Sequence, residues 1–261
     1  MDTLAAALAF DRSLGLRAAR RTVDLAEGVV ILDDGLRDVY HMNSVVLDAP
    51  LACDLDAEGI IALAERWLGH LRHRHVVLDD AAAAEALAPG FAEAGWYMQR
   101  TLLMALRSEP DRPARPGLAR EVDLATLHDL EVRLAGEDPP LGATPAFAAR
   151  LAHGMDALRN ATRSRGFAAG ENGDLSSACT LFLERDGGGI ALIDNVGTLV
   201  SKRSRGLARA VVTAAIDHAR AEGCDPIVIP ADADDWPKEL YARIGFVPVG
   251  VQASFTLARA G

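Results

Sequence analysis

The fold is decided by the stretch Ile193-Asp-Asn-Val-Gly-Thr-Leu-Val-Ser-Lys-Arg-Ser-Arg-Gly-Leu-Ala-Arg-Ala-Val-Val-Thr213. A strand is predicted to end at about Val200, a short basic turn follows, and a helix is predicted from Gly206 to Ala221. The helix is indicated by residues that recur at helical spacing and form an apolar stripe. These residues are Leu207, Ala210, Val211, Ala214 and His218.

The turn before this helix has the properties of a pyrophosphate-binding site. The first backbone N–H groups of a helix have no partner within it, and the helix dipole adds partial positive charge there. Gly206 lets a ligand approach the backbone because it has no Cβ, and Ala208 is nearly as permissive. Arg203 and Arg205 add fixed positive charge, so the turn is suited to bind phosphate. An ordinary strand-to-helix turn with solvated arginines remains the alternative, because short glycine motifs are common.

A second motif lies downstream, at Trp236-Pro-Lys-Glu-Leu-Tyr-Ala-Arg-Ile-Gly-Phe246. It is similar to the closing Leu-Tyr-x-x-x-Gly-Phe segment of the GNAT superfamily of N-acetyltransferases. The stretch Arg203-Ser-Arg-Gly-Leu-Ala208 resembles the Arg/Gln-x-x-Gly-x-Gly/Ala pattern of the same superfamily, and the spacing between the two motifs fits helix, strand and helix. The resemblance spans about Val122 to Leu257, and the N-terminal half resembles the degenerate first copy of tandem members.

The resemblance implies transfer of an acetyl group from acetyl-CoA to a primary amine of a small molecule or protein. It implies direct attack by the amine, with no enzyme nucleophile and no metal. Backbone groups of the strand end and the turn would hold the acetyl-CoA. The residues implied in this role are Leu199, Val200, Arg203, Arg205, Gly206, Leu207, Ala208 and Arg209. A protein that binds or senses acyl-CoA without transferring the acyl group is the alternative.

The resemblance assigns one proton transfer to Tyr241, and the position of Asp194 makes it a candidate for the other. Tyr241, from its place in the closing motif, would donate a proton to the departing thiolate, and an ordinary phenol pKa of about 10 suits that role. Asp194 lies on the strand that leads to the basic turn and is the first candidate for the general base. Glu131, on a predicted helix, is a weaker candidate. Either carboxylate could instead be a solvated surface charge.

A proline-rich segment divides the chain into two parts of ordinary domain size. Three prolines and a glycine among charged residues of Ser108–Gly117 predict a linker at 109–117. We therefore expect an α/β (α+β) fold with two GNAT-like domains in tandem, 1–108 and 118–261. Each is expected to have a mixed, mostly antiparallel sheet flanked by helices.

The N-terminal domain is predicted to bind no CoA. At the strand-to-helix junction that would correspond to the basic turn, it has Asp79-Asp80-Ala81, and two carboxylates there would repel a pyrophosphate. We expect this half to pack against the other one and to help shape the cleft for the acceptor.

The composition excludes several other partners. The formal net charge of -10 argues against nucleic acid and anionic membranes, and neither a signal peptide nor a membrane span is predicted, so a cytoplasmic protein is expected. His73 and His75 lack a third ligand at a known spacing, so no metal site is predicted. A homodimer is compatible with the sequence.

Overall fold

The computed structural model describes residues 2–52, 55–137, 144–184 and 188–258, in which helices and strands alternate along the chain. No helix in these ranges has the length and apolar character needed to cross a bilayer. The helices are α1 (Thr3–Ala18), α2 (Ala57–Leu68), α3 (Ala81–Glu93), α4 (Leu124–Glu137), α5 (Pro145–Ala161), α6 (Leu207–Ala221) and α7 (Pro237–Ile244). The strands are β1 (Arg21–Asp24), β2 (Gly28–Leu32), β3 (Ser44–Leu47), β4 (His73–Leu78), β5 (Tyr97–Leu106), β6 (Ala119–Val122), β7 (Arg163–Glu171), β8 (Asp174–Leu183), β9 (Gly189–Thr198), β10 (Cys224–Asp232) and β11 (Phe246–Ala258).

All described strands belong to one eleven-stranded sheet, in the order β1-β2-β3-β4-β11-β5-β10-β9-β8-β7-β6. Two neighbouring pairs are parallel, β3 with β4 and β9 with β10. The other neighbours are antiparallel. The predicted mixed and mostly antiparallel sheet flanked by helices is therefore confirmed.

The two halves of the chain exchange strands at the centre of the sheet. The last strand of the chain, β11, lies between β4 and β5 of the first half. In turn, β5 pairs along its other edge with β10 of the second half. Residues 109–117 contain no helix or strand, as expected of a linker. The sheet is nevertheless continuous across them, so neither half has a complete sheet of its own.

The helices cover the sheet in two layers. Helices α2, α3, α6 and α7 pack on one face, where Phe255 of β11 stacks on Phe91 of α3 with 3.9 Å between the ring centroids. Helices α1, α4 and α5 pack on the other. Helix α1 lies over the central strands, because its Phe10 and Leu14 join the same buried cluster as Leu103 of β5.

The helix predicted from Gly206 to Ala221 forms as α6, which begins at Leu207. Helix α2 is capped by the Asp56 carboxylate, which accepts a hydrogen bond from Gly59 N–H at 2.8 Å. Helix α3 continues through Pro89 to Glu93. Helices α1 and α5 were not predicted. The start of α5 carries a recognisable pattern, since Thr144 caps it and Pro145 occupies its first turn.

The exchanged strand β11 is predicted to stabilise the half of the protein to which it does not belong in sequence. Phe255 is fully buried against Phe91, so Phe255→Ala should lower the free energy of unfolding by about 3–5 kcal/mol. Urea unfolding followed by tryptophan fluorescence and far-UV circular dichroism measures this loss. Val247→Ala on the same strand, where the side chain is 41% exposed, should change it by less than about 0.5 kcal/mol. If the two variants had the same free energy of unfolding, the stabilising role proposed for β11 in the first half of the protein would be contradicted.

Candidate functional site

The parallel strands β9 and β10 separate partway along their length. They pair at Ala191 with Ile227 and at Leu192 with Val228, and no further pair follows. Beyond these points β9 continues beside β8 and β10 continues beside β5. The result is a wedge between the two strands, in which the facing backbone edges are left without strand partners.

A buried ionic network holds β9 where the wedge opens. Asn195 has a positive φ of 52°, and its side-chain amide donates to Glu131 Oε1 at 2.7 Å. The same carboxylate pairs with Arg159 at 2.7 Å, and both side chains are almost fully buried. Arg159 also donates to the hydroxyl of Thr180 on β8 and pairs with the Asp156 carboxylate. Glu131, considered as a base from the sequence, thus serves to position Asn195 and does not line the cavity described below.

The basic turn after β9 presents free backbone amides. Gly206 has a φ of 79° and precedes α6, whose first internal hydrogen bond runs from Ala210 N–H to Gly206 O at 3.1 Å. The N–H groups of Leu207 and Ala208 precede that bond and have no partner within the helix. A Cβ placed on Gly206 would meet nothing within 4 Å, so the space before the amides is open.

The three arginines of the motif differ in their contacts. Arg203 is exposed and donates from Nε to Thr198 O at 3.3 Å. Arg205 is exposed and forms an ion pair of 3.3 Å with Glu171. Arg209 is buried and pairs with Asp111 at 2.8 Å. Its side chain therefore attaches the 109–117 segment to α6, and only its backbone amide is available at the turn.

Leu199 and Val200, expected to present their backbone at the end of β9, lie beyond the strand. The Leu199 N–H donates to Ser176 O at 2.9 Å, and the Val200 N–H donates to Glu137 Oε2 at 3.2 Å. These amides are already engaged. The free edge of β9 lies upstream of them, between Ile193 and Thr198.

Tyr241 of α7 is buried and lies within electrostatic range of Asp194, although the two residues are far apart in sequence. The phenol is 5% exposed, and its ring packs edge-on against Phe246 with 6.4 Å between centroids. Burial, followed by the nearby Asp194 carboxylate and the Cys179 thiol, raises the pKa of Tyr241 above its ordinary value. The phenol therefore stays protonated at neutral pH and is able to donate a proton.

A cavity of about 440 Å³ opens on the opposite face of the sheet, beneath α1 and α5. Both halves contribute to its walls, with Asp11 from α1, Asp79 after β4, Asp194 from β9 and Gln252 from β11. The cavity also reaches the residues of β10 that border the wedge, Pro230–Asp232. A molecule in this cavity would thus have access to the place where β9 and β10 separate.

Three carboxylates of this cavity, those of Asp11, Asp79 and Asp194, have pKa values raised above their ordinary values. Burial, then Asp194 and then Asp79, raise the pKa of Asp11 to about 6, although a hydrogen bond with Gln252 opposes the shift. Burial raises the pKa of Asp79, which accepts a hydrogen bond from Gln252 Nε2 at 2.8 Å and lies near Arg12. Burial also raises the pKa of Asp194, whose Oδ1 accepts from Asn195 N–H at 2.6 Å.

The sequence analysis missed most of this cavity. Asp11 had a detectable pattern, because it lies on the same face of α1 as the buried residues Ala7 and Leu14, where an acidic residue is unusual. Asp79 was interpreted as part of a turn. Its neighbour Asp80 does have such a role, since its carboxylate caps α3 by accepting from Ala83 N–H at 3.0 Å.

The histidines dismissed as metal ligands have other contacts. His75 lines the cavity and bonds through Nδ1 to Thr256 Oγ1 at 2.8 Å, while His73 bonds to Asn43 O at 3.2 Å. In the described part of the chain, no group of three or more His, Cys, Asp or Glu side chains is arranged to hold a metal ion.

Comparisons with known proteins agree on one family. Residues 134–246 match the model of the acetyltransferase (GNAT) family. A protein of Oryza sativa subsp. japonica named "Probable glucosamine 6-phosphate N-acetyltransferase 2" is 30% identical over 155 residues, which cover 58% of this chain and 75% of the rice protein.

Solved structures share the fold over nearly the whole chain. A GCN5-related N-acetyltransferase from Kribbella flavida aligns with a TM-score of 0.67 at 20% identity, covering 100% of this chain and 97% of that one. A tandem GNAT protein from the clavulanic acid biosynthesis pathway aligns with a TM-score of 0.58 at 17% identity, covering 96% and 88%. At these identities the structures show a common fold.

Replacing Asp11 by Asn is predicted to raise the melting temperature at pH 8 and to change it little at pH 4. The pKa of Asp11 is raised from 3.8 to about 6, so the native state binds this proton more tightly than the unfolded chain does. Its ionisation therefore destabilises the fold increasingly between these two values and by a constant amount above them. Thermal unfolding at pH 4, 6 and 8 measures the difference.

The control for this prediction is Asp24→Asn, which changes an exposed carboxylate on β1 and should leave the melting temperature the same at each pH. The expected sign is wrong if Asp11→Asn melts below the parent protein at pH 8.

Proposed function

Because the chain belongs to the GNAT family of acetyltransferases, we propose that it transfers an acetyl group from acetyl-CoA to a primary amine of a small molecule or protein. The observation that carries this proposal is the wedge between β9 and β10. The wedge opens between the free amides at the start of α6 and a cavity on the other face of the sheet. The Asp194 carboxylate, which lines the cavity, raises the pKa of Tyr241 electrostatically.

The residues of the basic turn fit the diphosphate of acetyl-CoA. The backbone at Gly206 is open, since a Cβ there would meet nothing within 4 Å, and the start of α6 favours anions as helix N-termini do. Arg203 and Arg205 add charge. The exposed pair of Arg205 with Glu171 is worth only about 0–1 kcal/mol, so exchange of the carboxylate for a phosphate costs little. The free edge of β9 from Ile193 to Thr198 would bind the amides of the pantetheine arm.

The proposed chemistry needs two proton transfers, and the site offers one group for each. Acetyl-CoA supplies the electrophilic thioester carbon, to which the nitrogen of the acceptor forms its bond while the carbon–sulfur bond breaks. Tyr241 donates its phenol proton to the departing sulfur. Asp194 accepts the proton that the nitrogen loses.

Binding of acyl-CoA without transfer is the second candidate. It would use the same turn and wedge, and it rests on the membership of Tyr241 in the buried cluster beneath α6, where the ring has a packing role of its own. Release of free thiol from acetyl-CoA with a panel of amines separates the two functions, because a sensor would release none.

The N-terminal half is proposed to be a degenerate GNAT-like copy that binds no CoA, with the division between the copies at 109–117. Its parallel pair of strands, β3 and β4, occupies the place that β9 and β10 have in the second half. The start of α3 is already capped by the Asp80 carboxylate, so its amides are blocked to a phosphate. This half instead supplies Asp11 and Asp79 to the cavity.

The variant Gly206→Asp is predicted to lose about 100-fold or more in affinity for CoA, because a carboxylate would stand where the diphosphate binds. Isothermal titration calorimetry with CoA measures the loss. Gly95→Asp is the matched control, since Gly95 also has a φ of 79° and open space around its Cβ. The site assignment is refuted if both variants bind CoA as tightly as the parent protein.

The variant Tyr241→Phe is predicted to lower kcat by about 100-fold while CoA binding stays unchanged, because the ring still packs but the proton donor is gone. Steady-state thiol release gives kcat, and calorimetry gives the affinity. Tyr97→Phe is the control: it removes the hydroxyl of a residue that is 50% exposed and should change neither kcat nor CoA affinity. An unchanged kcat in Tyr241→Phe would leave the tyrosine with packing alone.

A further inference from the structure

We propose that the cavity beneath α1 binds an aliphatic diamine or polyamine as the acceptor, and this inference rests on the proposed function. The reacting amine lies at Asp194, beside the wedge. A further ammonium group of the same molecule lies between Asp11 and Asp79. The cavity volume of about 440 Å³ lies within the usual range for small-molecule sites.

The charges in the cavity wall favour a cation. Four carboxylates line it, and the guanidinium of Arg12 accompanies them. Arg12 is already engaged, because it pairs with Asp48 and donates to Leu47 O. Burial lowers the pKa of His41 to about 4 and also lowers that of His75, so both rings are neutral at pH 7. The four carboxylates are Asp11, Asp79, Asp194 and Asp232.

Polar groups inside the cavity lack partners that a ligand would provide. The His41 ring faces the cavity and makes no side-chain hydrogen bond to another residue of the described ranges. Asp194 is half-buried in the cavity wall, and its carboxylate accepts a hydrogen bond from the backbone N–H of Asn195. An ammonium group donates to both a carboxylate and a neutral imidazole, so one functional group satisfies these side chains.

The spacing of the carboxylates calls for an elongated molecule. Asp79 follows β4 and Asp194 lies on β9, and four strand intervals separate these strands in the sheet. At about 4.8 Å per interval this separation is roughly 19 Å along a flat sheet. Asp11 of α1 lies between Asp79 and Asp194, because both of these carboxylates raise the pKa of its carboxyl group. A single ammonium group cannot meet all three carboxylates, but a chain with several can.

The rest of the wall suits a chain of methylene groups. Side chains of Leu14 from α1, Met155 and Leu158 from α5, and Val46 and Val77 from the sheet form apolar surface between the carboxylates. Alternating charged and apolar patches match the alternating ammonium and methylene groups of a polyamine.

The same wall disfavours a phosphorylated amino sugar. A phosphate would add negative charge among four carboxylates, and Arg12 is paired elsewhere. The acceptor named for the rice relative is therefore a poor match to this cavity.

The test compares an acceptor that carries a second ammonium group with one that lacks it and with a phosphorylated amino sugar. Thiol release from acetyl-CoA is measured with octane-1,8-diamine, with octylamine as its uncharged-tail counterpart, and with glucosamine 6-phosphate. The KM for the diamine is expected to be at least 10-fold below that for octylamine. Calorimetry without acetyl-CoA is expected to show direct binding of the diamine to the full chain.

Variants test whether the cavity is responsible for the preference for the diamine over octylamine. Asp79→Asn and Asp11→Asn should each raise the KM for the diamine about 10-fold while the KM for acetyl-CoA stays constant. Asp24→Asn should change neither constant, and circular dichroism verifies that every variant is folded. Loss of diamine binding in calorimetry by the two cavity variants gives a second readout that does not depend on turnover.

The outcomes distinguish the inference from the function on which it rests. Equal KM values for diamine and octylamine, or a lower KM for glucosamine 6-phosphate, overturn the inference and leave acetyl transfer standing. If no amine releases thiol and acetyl-CoA does not bind, the proposed function fails. Diamine binding that the cavity variants abolish would still support the site in that case.

Discussion

The separation of β9 from β10 is the constraint on which the rest of the structure depends. After Val228, β10 follows β5, a strand of the other half, while β9 follows β8. Each strand satisfies its outer backbone edge with a different partner, so the inner edges stay open for a ligand. The exchange of β5 and β11 thus does more than join the halves. It provides the central strands that hold one side of the wedge in place.

The polar groups around this wedge destabilise the fold as it stands. Asp11 and Asp194 line the cavity and form no ion pair with another described residue, and burial raises the pKa of each. Glu131 differs from them, because that carboxylate is only 5% exposed and is compensated by Arg159 and Asn195. The structure therefore has a satisfied acidic site behind β9 and an unsatisfied one in the cavity. Residues kept in an unfavourable environment are characteristic of ligand-binding positions.

How much of the fold and of the candidate site could be predicted from the sequence depends on how far apart the interacting residues lie along the chain. The basic turn at Gly206 could be predicted, because a glycine, its flanking arginines and the stripe that follows are local features. Tyr241 was singled out only through the family resemblance, because its motif alone is an ordinary amphipathic helix. The pairing of β11 with β4 could not be predicted, since residues as distant as His75 and Thr256 meet there, 181 positions apart. Asp11 was missed because α1 was not recognised as a helix. Its position on the same helix face as Ala7 and Leu14 could therefore not be identified.

The dipeptide Asp79-Asp80 shows how the N-terminal half could lose the ability to bind CoA and gain a role in the acceptor site. Asp80 ends the turn before α3 and caps that helix, so the site where the second half has free amides is filled by a side chain of the protein. Asp79, one residue earlier, points instead into the cavity and is held there by Gln252 of the exchanged strand. Asp80 thus blocks a site for an anion, and Asp79 favours a cation. Both roles are consistent with an N-terminal half that does not bind CoA but shapes the acceptor site. Because Gln252 comes from β11, this arrangement exists only while the two halves share one sheet.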